Sequence, residues 1–147
     1  MNEEAAEFRA LREQVGLSQQ DVADALNVHV RSVKRWEDPE YPFEIPDDAW
    51  DVLDAAYDLQ HRQVEYAVDK AVHAAEVTRH RGELPSVRIS YWRTQADYDA
   101  VHPTDSGPYG QANAASRAVA EKLRGLGFEV SFVYGSTLTP EVWESTE

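Results

Sequence analysis

The chain has 147 residues, 14 basic and 27 acidic for a formal charge of −13, and no cysteine. With 42% apolar and 28% charged residues it is composed as a globular protein of one ordinary domain or two small ones. The missing cysteines exclude disulfides, thiol catalysis and cysteine-ligated zinc, which fits a reducing, cytoplasmic setting.

The opening MNEEAAEFRA is acidic and lacks the apolar segment of a signal peptide. No apolar run approaches ~18 residues, so no membrane partner is expected. Glu4 to Val15 reads as a helix, with Phe8, Leu11 and Val15 at helical spacing and Gly16 as its stop. Ser18 suits the N-cap of a second helix, Gln19 to Leu26, with Asp21 in its first turn. A third helix is expected from about Val28 to Glu37, before Pro39 and Pro42 break the chain.

Ile45-Pro46-Asp47-Asp48 starts a new helix, with proline and acids suited to a first turn. The absence of glycine or proline before Gly82 makes it either very long or two helices in series. Trp50, Leu53, Tyr57, Gln60, Val64, Ala67, Ala71 and Ala74 form a row at 3–4 spacing along it. The first half of this row is expected to close the N-terminal core. The second half, rich in small residues, is expected to meet a partner copy.

RHRGELP, residues 79–85, breaks the pattern. Val87 to Arg93 alternates as a strand, with Val87, Ile89 and Tyr91 on one face and Arg88, Ser90 and Trp92 on the other. A short helix from Gln95, capped by Thr94, precedes a Pro/Gly loop at 102–110. Gln111 to Arg124 is an Ala-rich helix, and Phe128 to Tyr134 is a second alternating strand. The fold class is therefore α+β, mainly α. It comprises an N-terminal helical bundle (1–58), a long connecting helix (59–82), a C-terminal strand-helix-strand part (83–136) and an acidic tail (137–147). Two strands are marginal alone, so two copies are expected to join edges and form a homodimer.

Charge is uneven. HVRSVKRW, His29 to Trp36, holds Arg31, Lys34 and Arg35 and no acid, whereas Glu37 to Asp58 holds nine acids and no Lys or Arg. The global charge opposes phosphate binding, but a basic helix in an acidic chain is a candidate DNA contact.

Residues 17–37, LSQQDVADALNVHVRSVKRWE, meet the demands of a helix-turn-helix. Counted from Gln19, the fifth residue is Ala23, small enough for two helices to cross closely. The ninth is Asn27, which tolerates positive φ at the turn. Val22, Leu26, Val28, Val33 and Trp36 take the positions expected to be buried.

This stretch resembles the helix-turn-helix of the phage repressor class, the Cro/C1 or Xre-like regulators, over about residues 4–57. A narrower likeness, in VRSVKRWE, IPDD, VDK and VRISYW, is to the YdiL-like group, which includes anti-CRISPR-associated (Aca-type) autorepressors. The Pro/Gly loop and the tail have no counterpart in it. The resemblance implies a dimeric regulator that lays its third helix in the major groove of double-stranded DNA and reads an inverted repeat. His29, Val30, Arg31, Ser32, Lys34 and Arg35 are left for the outer surface. Arg31 is the best base reader, Lys34 the next, and Val30 suits a thymine methyl. Ser18, Gln19, Gln20 and Arg35 suit phosphates.

His73, Glu76 and His80 share a helix face, but with Arg79 and Arg81 beside them and no third ligand they read as a solvated helix end. No nucleophile–base pair or phosphate-cradling loop is evident, so neither enzyme activity nor a cofactor is expected. Tyr91, Trp92 and Trp143 could line a ligand pocket, but they read first as core or dimer packing. The competing reading is a protein-interaction module, antitoxin-like, whose helix-turn-helix has lost DNA binding; a third, a ligand- or metal-sensing regulator, needs an effector pocket in the C-terminal half that the pattern does not identify.

Overall fold

A computed structural model describes residues 2–135. The expected acidic tail at 137–147 lies outside the described residues. The elements run α1 (Ala5–Val15), α2 (Gln19–Leu26), α3 (Val30–Trp36), α4 (Asp47–His80), β1 (Ser86–Tyr91), α5 (Gln95–Val101), α6 (Tyr109–Gly125) and β2 (Glu129–Tyr134). This is the mainly helical α+β class expected from the pattern. The chain forms two compact units, one within Met1–Gln60 and the other within His61–Glu147. No helix among the described residues is long and apolar enough to cross a membrane.

The N-terminal unit packs α1, α2, α3 and the start of α4 around Phe8, Val15, Val22, Val33 and Leu53, all fully buried. Phe8 is the hub. It meets Trp36 edge-on at 6.0 Å and Trp50 edge-on at 5.2 Å, so aromatic geometry adds to the area it buries. α1 ends at Gly16, whose φ of 79° is the left-handed conformation that glycine adopts without steric cost. The Leu17 amide then bonds back to the Arg12 carbonyl, and the buried Leu17 side chain seals the turn.

In the C-terminal unit β1 and β2 pair in parallel, with Val87 opposite Val130, Ile89 opposite Phe132 and Tyr91 opposite Tyr134. A parallel pair needs a long crossover, and α5 and α6 supply it. Val119, Ala120 and Leu123 of α6 share one buried cluster with Val87, Ile89 and Phe128.

One expectation left open is decided here and three change. First, of the two alternatives for the Asp47 helix, it is one continuous element of 34 residues. Second, the later part of its apolar row is covered by its own chain. Val64, Ala67 and Ala71 are buried in the β1/α6 cluster, Ala75 takes the place expected of Ala74, and Tyr57 is exposed. A stripe of small residues permits close approach by any apolar surface, and β1 and α6 provide that surface within the same unit. Third, α6 starts at Tyr109, two residues early, because Pro108 stands at its N-cap. Fourth, the strand expected to run to Arg93 ends at Tyr91, so Trp92 lies just past it. It is buried edge-on against Tyr98 at 5.3 Å, and its backbone is held on both sides by Asn113.

Candidate nucleic-acid interface

The geometry of α2 and α3 is set by local chemistry. Ser18 caps α2 with a reciprocal box: its Oγ accepts from the Asp21 amide at 2.9 Å, and its own amide donates to Asp21 Oδ2 at 2.8 Å. α2 ends at Asn27, the one non-glycine residue with positive φ (54°) among the described residues. The Val28 amide then reaches back to the Ala23 carbonyl at 3.0 Å, closing the turn. Ala23 is fully buried, which is what allows α2 and α3 to cross here.

His29 begins α3 in a way that composition does not suggest. Its Nδ1 accepts from the Arg31 amide at 3.0 Å, so an imidazole does the work of a Ser or Asp cap. Helical geometry then starts at Val30, not Val28. At about 100° per residue, Val33 and Trp36 face the core and Arg31 points almost directly away from it. Lys34 and Arg35 flank Arg31. All three cations are exposed, and Arg35 also lies 6.0 Å from the Tyr41 ring centroid.

Two facing assignments are corrected. Val28, expected inside, is 38% exposed because it lies in the turn before the helix. Val30, expected outside, is half-buried and packs on the N-terminal core. The apolar side chain beside the basic face is therefore Val28. Ser32 is also half-buried, at the edge of the outer face.

The residues expected to hold phosphates divide. Ser18 is exposed, with its side chain engaged in the capping box. Gln20 is exposed and donates to Asp24 at 2.8 Å. Gln19 instead turns toward Glu37, Nε2 to Oε1 at 3.3 Å. It joins a network that sequence reading missed. Arg12 Nε and Nη2 donate to the two Glu37 oxygens at 2.6 and 2.8 Å, and Nη1 donates to the Leu17 carbonyl at 3.0 Å. Both side chains are largely enclosed, at 10% and 4% exposure. The hydrogen bond to Glu37, reinforced by attraction to that carboxylate and opposed by burial, holds the Arg12 guanidinium above its ordinary pKa. The bidentate pair ties the end of α1 to the end of α3 across the α2 turn. It neutralises the one acid that directly follows the basic helix.

The assembled surface is two helices crossing through a left-handed turn, with the second presenting three cations and no acid. Residues 5–67 match the family model described as a helix-turn-helix domain. The match covers less than half of the chain and takes in α2 and α3. The match supports a DNA-binding regulator. No curated protein matches the chain. Within the matched residues α2 and α3 are the crossing pair, and α3 carries the exposed cations Arg31, Lys34 and Arg35. Among the described residues no group of three or more His, Asp or Glu side chains is placed to hold a metal ion.

Proposed function

We propose that the chain is a sequence-specific DNA-binding repressor that acts as a homodimer on an inverted repeat. The observation that carries this reading is the outer face of α3, where Arg31, Lys34 and Arg35 are exposed on a helix fixed by the capped turn before it. Arg31 occupies the centre of that face and grips guanine O6 and N7 with two hydrogen bonds. Lys34 reads the neighbouring base, Val28 meets a thymine methyl, and Arg35, Ser18, Gln20 and the α2 amides position the backbone. His29 and Ser32 border the contact.

One such head buries too little surface to be selective, which is the argument for two copies and two half-sites about one helical turn apart. Among the described residues the sheet has two strands, and its edges offer a route to pairing in the C-terminal unit. The acids outside α3 repel phosphate and suppress non-specific binding, so the complex is selective and salt-sensitive. A cytoplasmic location and the autorepressor role belong to this same reading.

The test is selection from a random duplex pool with the wild-type chain and with Arg31→Ala/Lys34→Ala side by side. The wild type should enrich an inverted repeat and the variant none, with equal thermal stability. Enrichment of the same repeat by both proteins would overturn the assignment of α3. Failure of both to enrich any sequence would favour the protein-interaction reading, for which the charge of −13 is the supporting observation.

A further inference from the structure

The C-terminal unit contains a groove of about 440 Å³ lined by Tyr91, Arg117, Phe132, Val133 and Tyr134. Its floor follows from the strand register. Residues paired across β1 and β2 share a face, so Ile89, Phe132, Tyr91 and Tyr134 lie together. Ile89 is sealed in the core, whereas Phe132 and Tyr134 are 38% and 65% exposed. One end of the sheet face is thus core and the other is an aromatic platform with solvent-exposed surface. Tyr91 and Phe132 meet edge-on at 5.6 Å, which fixes their rings relative to each other.

Three guanidinium groups surround this platform. Arg117 lies 5.9 Å from the Tyr91 centroid, Arg124 5.6 Å from Phe132 and Arg93 5.5 Å from Tyr134. Arg117 also donates to the Tyr91 hydroxyl at 2.5 Å. None of the three takes part in the ion pairs formed among the described residues. In a chain with nearly twice as many acids as bases, a cluster of cations with no carboxylate ion pair among the described residues is a local concentration of positive charge.

We propose that this groove binds a small aromatic carboxylate. Aromatic walls select a flat apolar body, and a guanidinium presents a planar fork that matches a carboxylate. Arg117 alone among the three cations lines the groove, which suits one monoanionic group. Arg93 and Arg124 stand over the rings and add to the attractive field. The volume lies within the range of small-molecule sites and admits a one- or two-ring acid. A second copy seated here by twofold symmetry would bring the same cations of both chains together, which opposes that occupant. The proposal stands on the C-terminal unit alone and does not depend on DNA binding.

The experiment is NMR and calorimetric titration of the full chain with indole-3-carboxylate, its neutral carboxamide and adenosine monophosphate. The carboxylate should bind saturably and shift the signals of Tyr91, Arg117, Phe132 and Tyr134. The carboxamide should bind about tenfold more weakly. Arg117→Gln, at an exposed position, should remove that difference without changing thermal stability, and Arg124→Gln should reduce it. Equal affinity for acid and amide would overturn the proposal. So would tighter binding of the nucleotide, or no saturation by the acid up to about 10 mM. A dimer that Phe132→Ala and Tyr134→Ala convert to monomer in sedimentation would assign the face to a second copy and overturn it equally.

Discussion

Replacing Arg12 with methionine should destabilise the N-terminal unit far more than the loss of an ordinary surface ion pair. The guanidinium makes two bonds to Glu37, at 2.6 and 2.8 Å, and one to the Leu17 carbonyl at 3.0 Å. Without it the Glu37 carboxylate, whose side chain is 4% exposed, keeps only the 3.3 Å contact from Gln19. Removing one partner of a buried pair costs about 3–5 kcal/mol, against about 0–1 kcal/mol for an exposed one. Gln19 remains as a donor, so the lower end, about 3 kcal/mol, is expected. For a unit of this size that lowers the melting temperature by roughly 12–24 °C. Arg12→Met/Glu37→Leu should recover most of the loss, because the uncompensated charge leaves with its partner. Circular dichroism melts of both variants, with hydrogen exchange at the α1 and α3 amides, measure the effect. A loss below about 1 kcal/mol, or a double variant no more stable than the single, would refute the reasoning.

Other expectations follow from single features. Asn27→Ala keeps the β-carbon at φ 54° but removes the short polar side chain that makes this conformation tolerable, and should cost about 1–2 kcal/mol, whereas Asn27→Gly should be nearly neutral in the same denaturant titration. Gly135→Ala would put its β-carbon 2.5 Å from the buried Trp92 ring, and should lower stability by about 1–3 kcal/mol with exchange increases confined to the C-terminal unit. The Tyr98 hydroxyl, then the Gly107 amide, hold the Asp105 carboxylate below its usual pKa. Folding therefore favours its ionised form. That contribution is complete above the ordinary value of 3.8 and lost as pH falls through the lower folded value. A carboxyl carbon titration by NMR should place the midpoint below 3.8, and a midpoint at or above it would contradict the assigned hydrogen bonds.

Much of the helix-turn-helix was legible because its determinants are local. Ser18 with Asp21 and Asn27 at the turn act within a few residues, and the periodicity of Val22, Val33 and Trp36 fixes the buried side. The facing of Val28 and Val30 was not legible. It depends on where α3 begins, and the cap there is an imidazole, which sequence patterns do not mark as a start signal. Arg12 and Glu37 are 25 residues apart, and each taken singly reads as an ordinary surface charge. Alternation identified both strands, yet parallel pairing arises from the crossover, which no strand pattern encodes. The Val64–Ala67–Ala71 stripe revealed that something must cover it, but not whether that surface belongs to the same chain. The aromatic–arginine groove joins residues from β1, α6 and β2, and so needed the register before it could be seen.

The central claim is that an acidic chain recognises duplex sequence through the outer face of α3. Its most direct test is fluorescence anisotropy with the duplex recovered from selection and with a scrambled duplex of equal length, at matched physiological salt. The account predicts at least about a thousandfold preference for the recovered sequence. It further predicts two chains per duplex and a steep loss of affinity with added salt. Equal affinity for the two duplexes would contradict it.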